Sequence, residues 1–308
     1  MGATTIYKAF GLYIVSDLAL PELMLAEEAQ GEADIEIVFG DLSAELADAA
    51  YYQTYYAVKN GTFFLDVPGV AVFGIEDGRR ITVSPAVDAD FQKIRLYLLG
   101  TCMGAILFQR KVWPLHGSAV VIGEKAYAIV GDSGAGKSTL AAAFVSKGYT
   151  LLSDDIIPVA SSPDGEPVVI PSYPQQKLWQ ESVEQLGMEL GRYRPLYDEV
   201  NKYAIPVKSS YCKTPIPLGG VFELVKTDQT VTEVTIEPVS GLERFPLLRY
   251  HTYRNLLIPL MGLEQWHFTT SVAAAGRMDM QRITRPSAGF TAHEIRNQML
   301  EIVSQPIL

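Results

Sequence analysis

The segment Gly131-Asp132-Ser133-Gly134-Ala135-Gly136-Lys137-Ser138-Thr139 constrains this chain more than any other. It fills the pattern GxxxxGK followed by Ser or Thr, and lies between an apolar β run, Ala126 to Val130, and an alanine-rich helical run from Lys137 to about Lys147. The residue types explain the pattern. Gly131, Gly134 and Gly136 let the backbone curl until successive N–H groups converge, and the N-terminus of the following helix adds partial positive charge at the same place. Lys137 supplies a full positive charge there, and Ser138 a hydroxyl oxygen suited to a hard cation such as Mg²⁺. The whole segment, Gly131 to Thr139, is therefore expected to hold the phosphates of a nucleotide, on a strand–loop–helix unit of an α/β fold.

The rest of the composition sets bounds. A chain of 308 residues, 48% hydrophobic, supports one large or two ordinary domains with a buried core. Its 35 acidic against 25 basic side chains, a net charge of −10, argue against broad capture of nucleic acid or of an anionic membrane, both of which depend on clustered Lys and Arg. Cys102 and Cys212 lie far apart without CxxC spacing, so neither a disulfide framework nor a zinc knuckle is signalled. The first residues lack the pattern of an export signal, and the apolar run Leu96 to Phe108 is shorter than the roughly 20 residues that a membrane-spanning helix needs. A cytoplasmic protein is expected.

Residues 1–87 read as a β-rich N-terminal domain, with strands at Ile6 to Val15, Asp34 to Val38, Tyr52 to Val58, Thr62 to Val67, Val70 to Ile75 and Arg80 to Val83. Asn60-Gly61 and Asp77-Gly78 supply hairpin-turn chemistry between them. Residues 88–308 read as the second domain, opening with a connecting helix over 88–110. Two strands flank Gly123-Glu124, and another spans Tyr149 to Ser153. The Pro-, Tyr- and Ser-rich stretch from Ser161 to Pro217 is expected to form loops with one short helix around Leu178 to Leu186. Strands follow at Gly220 to Val225 and near Thr232 to Ile236, helices from Leu242 to Met261, and a last helix at Ala292 to Val303.

Further residues narrow the chemistry. The NKxD base-reading motif of GTPases is missing, because Asn201-Lys202-Tyr203-Ala204 lacks its Asp, and no LSGGQ signature of transporter ATPases occurs. An acidic pair, Asp154-Asp155, comes 17 residues after Lys137, a gap that one helix and one strand fill. Neighbouring strand residues face opposite ways, so one carboxylate can help hold Mg²⁺ with Ser138 while the other faces an incoming hydroxyl; Asp154 is taken as the metal-holding member, and either Asp as the base. If Gly123-Glu124 is a two-residue turn, Ile122 faces Lys125 and His116 faces Gly131, which brings the imidazole beside the loop.

Leu115-His116-Gly117-Ser118, the loop Gly131 to Ser138 and Ser153-Asp154-Asp155 together resemble the catalytic half of HPr kinase/phosphorylase and its relatives. The resemblance extends more weakly through Lys177-Leu178-Trp179, Lys202-Tyr203-Ala204-Ile205-Pro206 and Gly219 to Leu224. It implies an α/β fold in which a P-loop kinase domain, like the C-terminal domain of HPr kinase and similar to phosphoenolpyruvate carboxykinase, follows the β-rich N-terminal domain. It also implies ATP and Mg²⁺ as cofactors, Asp154 or Asp155 as base toward a serine hydroxyl, and His116 beside them as catalytic residues. Thr139 stands where the HPr enzymes have Glu, and their Glu-x-Arg-Gly-x-Gly run is missing. The layout is most similar to the HPr-kinase-related enzymes of lasso peptide gene clusters, which implies a precursor peptide with a C-terminal acceptor Ser as partner, with an oligomer allowed.

Among the later cations Lys177, Arg192, Arg194, Lys202, Arg249 and Arg254, Lys202 is the first choice for a substrate-binding charge, with Arg249 behind it. Trp179, Tyr193, Tyr197 and Tyr203 are aromatic candidates for a peptide or adenine pocket, with packing as their plainer role. His251 and His267 lack a companion at metal-ligand spacing and are read as structural. A small-molecule kinase and a non-catalytic nucleotide sensor or scaffold are the competing readings.

Overall fold

The computed structural model describes residues 5–27, 32–47, 51–52, 55–196, 201–227 and 231–304. The chain divides into two compact units, Met1–Pro114 with Arg254–His267, and Leu115–Tyr253 with Phe268–Leu308.

The first unit carries β1 (Ile6–Ala9), β2 (Leu12–Ser16), β3 (Met24–Leu25), β4 (Ile35–Phe39), β5 (Tyr51–Tyr52), β6 (Tyr56–Lys59), β7 (Thr62–Val67), β8 (Ala71–Glu76) and β9 (Arg80–Pro85). They form one sheet in the order β3-β1-β2-β4-β9-β8-β7-β6-β5. Asn60-Gly61 and Asp77-Gly78 make the expected tight turns, with both residues of each pair at positive φ. The run Ile6 to Val15, read as one strand, is instead a hairpin. Phe10 (φ 54) and Gly11 (φ 74) reverse the chain so that Ala9 pairs with Leu12, a turn that the buried Phe10 side chain conceals in the sequence.

The helical segment expected over 88–110 runs as Phe91–Tyr97, a π-type turn Leu98–Cys102, and Met103–Gln109. The sequence reading places it with the second domain, whereas by its contacts it lies with the first compact unit. Gln109 shows why: its Nε2 donates to the Ile75 carbonyl at 3.0 Å and its Oε1 accepts from the Gly78 N–H at 2.8 Å, pinning the helix end to the β8–β9 hairpin. Arg110 adds a bond to the Gly78 carbonyl. The returning segment joins the same unit through Trp266, which meets Phe108 edge-on at 6.2 Å.

The second unit is built on β10 (Trp113–Ile122), β11 (Lys125–Gly131), β12 (Thr150–Ser161), β13 (Pro167–Val169), β14 (Gln175–Trp179), β15 (Arg194–Pro195), β16 (Lys202–Pro206), β17 (Ile216–Lys226), β18 (Thr235–Pro238) and β19 (Asp279–Arg285). Seven of these form a sheet ordered β11-β10-β12-β13-β17-β19-β18, in which β11 also pairs with β17, and β14-β16-β15 form a separate small sheet. The β10–β11 hairpin has the expected register, Ile122 opposite Lys125 and on to Gly117 opposite Val130. The helices Lys137–Val145 and Ala292–Ser304 pack on the sheet over a core that includes Ile129, Leu140, Phe144, Phe222, Leu224, Ile283, Ile295 and Met299. Arg296 satisfies the Ala143 carbonyl near the end of the first of these helices.

Two expectations for this unit are corrected, and one strand is added. The strand expected to stop at Ser153 continues to Ser161. The stretch 161–217, expected to be loops with one short helix, contains β13 to β16, because Gln175–Trp179 and Lys202–Pro206 find each other across 22 intervening residues, a pairing that local composition does not announce. β19, in the middle of a parallel and antiparallel ladder, was not expected. Among the described residues no helix is long and apolar enough to cross a membrane. Cys102 is buried and Cys212 half-buried, and both are free thiols.

Candidate functional site

β11 delivers the chain into the glycine-rich loop, and Gly136 opens the Lys137–Val145 helix. The glycines are required by geometry. Gly131 has φ 148, and a Cβ there would lie 2.4 Å from the Leu224 carbonyl oxygen; Gly134 and Gly136 have φ 81 and 107. Lys137 folds back over the loop, its Nζ donating to the carbonyls of Gly131 at 2.8 Å and Asp132 at 3.0 Å. Two side chains brace the loop from outside: Tyr250 donates to Asp132 Oδ1 at 2.9 Å, and Arg285 Nε to the Ala135 carbonyl at 2.8 Å. Thr139, in the first turn of the helix, shares a hydroxyl hydrogen bond with Ser182 at 2.8 Å.

The acidic pair departs from simple strand alternation. Asp155 has φ 76, in the left-handed region that Asp tolerates better than most residues. This breaks the pleat, and both carboxyl groups line one cavity instead of facing opposite sides of the sheet. Their surroundings differ sharply. Asp154 is 2% exposed, with Oδ1 accepting from Ser118 Oγ at 2.5 Å and Oδ2 from the Lys177 N–H at 2.8 Å. Burial pushes its carboxyl above the ordinary range, against hydrogen bonds from Ser118, Lys177 and Ser138. Asp155 meets the Lys177 ammonium at 2.7 Å, and His116 Nδ1 lies 3.0 Å from its carbonyl and 3.6 Å from its Oδ1. Burial works upward on Asp155 too, but Lys177 and His116 outweigh it and lower the carboxyl to about 2. For Lys177 burial works downward and Asp155 wins, so the ammonium is held above the ordinary lysine range. Burial lowers Lys137, partly offset by Asp154 and Asp155.

His116 itself is held from behind, its N–H donating to the His251 carbonyl at 2.7 Å while His251 Nε2 pairs with Glu223 at 3.0 Å. The hairpin register ends at Gly117–Val130, one position short of the His116–Gly131 pair that the turn arithmetic gives, and the imidazole reaches the cavity beside Asp155.

One cavity of about 470 Å³ gathers most of these groups, a size ordinary for a small-molecule site. Ser133, Gly134, Gly136, Lys137, Ser138, Thr139, His116, Asp154, Asp155 and Lys202 line it. Gly131, Asp132 and Ala135 belong to the loop without lining the cavity, and Arg249 is exposed at the end of the Arg244–Tyr250 helix, also outside the lining. Lys202 lies 4.7 Å over the Trp179 ring, a cation–π contact at the cavity wall. Tyr193 and Tyr203 pack against the core, and Tyr197 lies outside the described residues. The sequence places Ser118 in a motif without giving it a role, gives no sign of Arg285, and sets Lys177 among several later cations. Strand alternation from His116 signals Ser118; nothing local signals Arg285.

Among the described residues no group of three or more His, Cys, Asp or Glu side chains could hold a metal ion. A cation at Ser138 and Asp154 would complete its shell from water and ligand oxygens, as Mg²⁺ does when bound with phosphates. The hard oxygen donors and the hydrogen bond between them fit that ion.

No protein-family model matches the chain, and no curated protein matches it. Among solved structures it is similar to the Hpr(Ser) kinase/phosphatase from Coxiella burnetii, at 13% identity over 62% of this chain and 93% of that chain, with a TM-score of 0.31. So distant a likeness carries no functional weight, and what the site can do rests on its own residues.

Proposed function

We propose that this chain is an ATP- and Mg²⁺-dependent kinase of the HPr-kinase-like P-loop type that transfers the γ-phosphoryl group to a serine hydroxyl. The observation that carries this reading is the pairing, in one cavity, of the Lys137–Ser138 loop with two carboxyl groups that their surroundings shift in opposite directions. Lys137, released from the Gly131 and Asp132 carbonyls, neutralises the β- and γ-phosphates, and the loop N–H groups cradle them. Ser138 and Asp154 would hold Mg²⁺, which supplies charge neutralisation between the phosphates. Asp155 is the base, because Asp154 is the member placed with Ser138 at the metal, which leaves Asp155, beside His116 and Lys177, for the acceptor hydroxyl. The acceptor oxygen forms a bond to the γ-phosphorus, the bond from that phosphorus to the bridging oxygen breaks, ADP leaves with the electron pair, and the hydroxyl proton passes to Asp155. A carboxylate held ionised by Lys177 suffices, since in a loose transition state the proton leaves late and orientation of the hydroxyl matters most. His116 and Lys177 orient Asp155 and face the phosphoryl oxygens as charge spreads over them.

The resemblance of the motifs points to the C-terminal Ser of a lasso peptide precursor as acceptor, in a cytoplasmic setting. Lys202 on Trp179 supports it by offering a cation for the peptide carboxylate. The test is the mass of a linear precursor peptide ending in Ser after incubation with protein, ATP and Mg²⁺. Gain of one phosphoryl group by wild type, lost in Asp155→Asn, is the expected result. Transfer only to a small hydroxylated metabolite would replace the peptide, and tight ATP binding with no acceptor changing mass would leave a sensor or scaffold.

A further inference from the structure

The cavity that contains the acidic pair has a second end. Along one edge β11 pairs with β10, the strand of His116 and neighbour of β12 with its acidic pair, and along its other edge with β17, which pairs onward with β19. On that other side the cavity is bounded by Lys226, Arg285 and the turn Ser287 to Thr291 that leads into the last helix. Phe290 is the aromatic there, half-buried, in T-shaped contact with His293 at 5.2 Å. Arg285 lies hard against the glycine-rich loop: besides its bond to the Ala135 carbonyl, its Nη2 stands 3.5 Å from where a Cβ on Gly136 would be. A flat ring, two cations and the small residues Ser287, Ala288 and Gly289 suit a ligand with a planar group joined to an anionic linker.

Direction of binding then follows. A phosphoryl group leaving from between Lys137 and Asp155 requires the remainder of the donor to extend away from Asp155, over the loop, toward β19. We propose that this end of the cavity is a purine subsite, where the base of the nucleoside triphosphate stacks on Phe290 while Arg285 and Lys226 face the adjoining phosphate. This rests on the phosphate-loop reading above and deepens it by placing the base of the donor and by extending the donor from ATP to either purine nucleotide. Stacking is open to any base and strongest for two-ring purines, so ATP and GTP bind alike and UTP more weakly.

The test is calorimetric titration of wild type, Phe290→Ala and Phe290→Trp with ATP, GTP, UTP and inorganic tripolyphosphate, each with Mg²⁺. Loss of the stack in Phe290→Ala should weaken ATP and GTP roughly tenfold, leave tripolyphosphate unchanged, and be rescued by Phe290→Trp. Unchanged ATP affinity in Phe290→Ala, or an equal loss for tripolyphosphate, would overturn the subsite. Binding of neither ATP nor tripolyphosphate by wild type would instead remove the phosphate-loop reading, a failure visible before any variant is made.

Discussion

Replacing Asp155 by Asn removes one charge and almost nothing else. Asn tolerates the left-handed φ of 76 at this position and keeps the side-chain shape. Lys177, with a side chain only 12% exposed, then loses the carboxylate 2.7 Å away. The lowering of the Asp155 carboxyl from 3.8 to about 2 corresponds to roughly 2 kcal/mol of folding stability at pH 7. Because the folded value lies below the unfolded one, that stability is fully present above the unfolded value. It is lost as pH falls through about 4 toward 2, and is roughly halved near pH 3. Urea unfolding of wild type and Asp155→Asn should therefore differ by about 2 kcal/mol at pH 7, with the gap closing in acid. In the peptide assay kcat should drop by about two to four orders of magnitude while ATP affinity changes little, since the base acts in the transition state. Normal turnover in the variant would refute the base assignment. An unchanged unfolding free energy at pH 7 would refute the claim that the Lys177 pair holds the carboxyl down.

Other outcomes follow from the same geometry. Ser118→Ala removes the donor to Asp154 Oδ1, so it should cost on the order of 1–2 kcal/mol in urea unfolding, and the acid limb of the rate profile should move to higher pH as Asp154 becomes harder to ionise. Gly131→Ala drives a Cβ into the Leu224 carbonyl, whereas Gly134→Ala meets nothing within 4 Å; thermal melts should show a large loss for the first and only the ~1 kcal/mol left-handed strain for the second. Removing Mg²⁺ with a chelator should stop phosphoryl transfer and leave the melting temperature of the nucleotide-free protein in place, because no protein-only metal cluster occurs among the described residues.

The glycine-rich loop, the β10–β11 register and the Asn60-Gly61 and Asp77-Gly78 turns were legible because each is encoded within a few residues: a glycine where φ must be positive, alternation on both sides of a two-residue turn, a lysine and serine at the start of a helix. His116 was reachable by counting along that hairpin. The hairpin at Phe10-Gly11 was not, since a large buried aromatic at positive φ reads as strand. Nor was the helical segment 91–109 assigned to its unit, for Gln109 and Arg110 bond to a hairpin about 30 residues earlier in the chain.

The sequence alone determined the local chemistry: a glycine-rich loop between strand and helix with a lysine and a serine at its end, a nearby acidic pair and an imidazole within reach. Tertiary structure decided which charges meet. Lys177 reaches Asp155 only because β14 lies beside the cavity, and Arg285 reaches Ala135 only because β19 pairs with β17. Strand alternation would send the two Asp side chains to opposite faces, and the left-handed turn at Asp155 brings them together. Local patterns record what neighbouring residues require of the backbone. The partners of a side chain 20 or 150 residues away are set by sheet order and burial, which no short window contains.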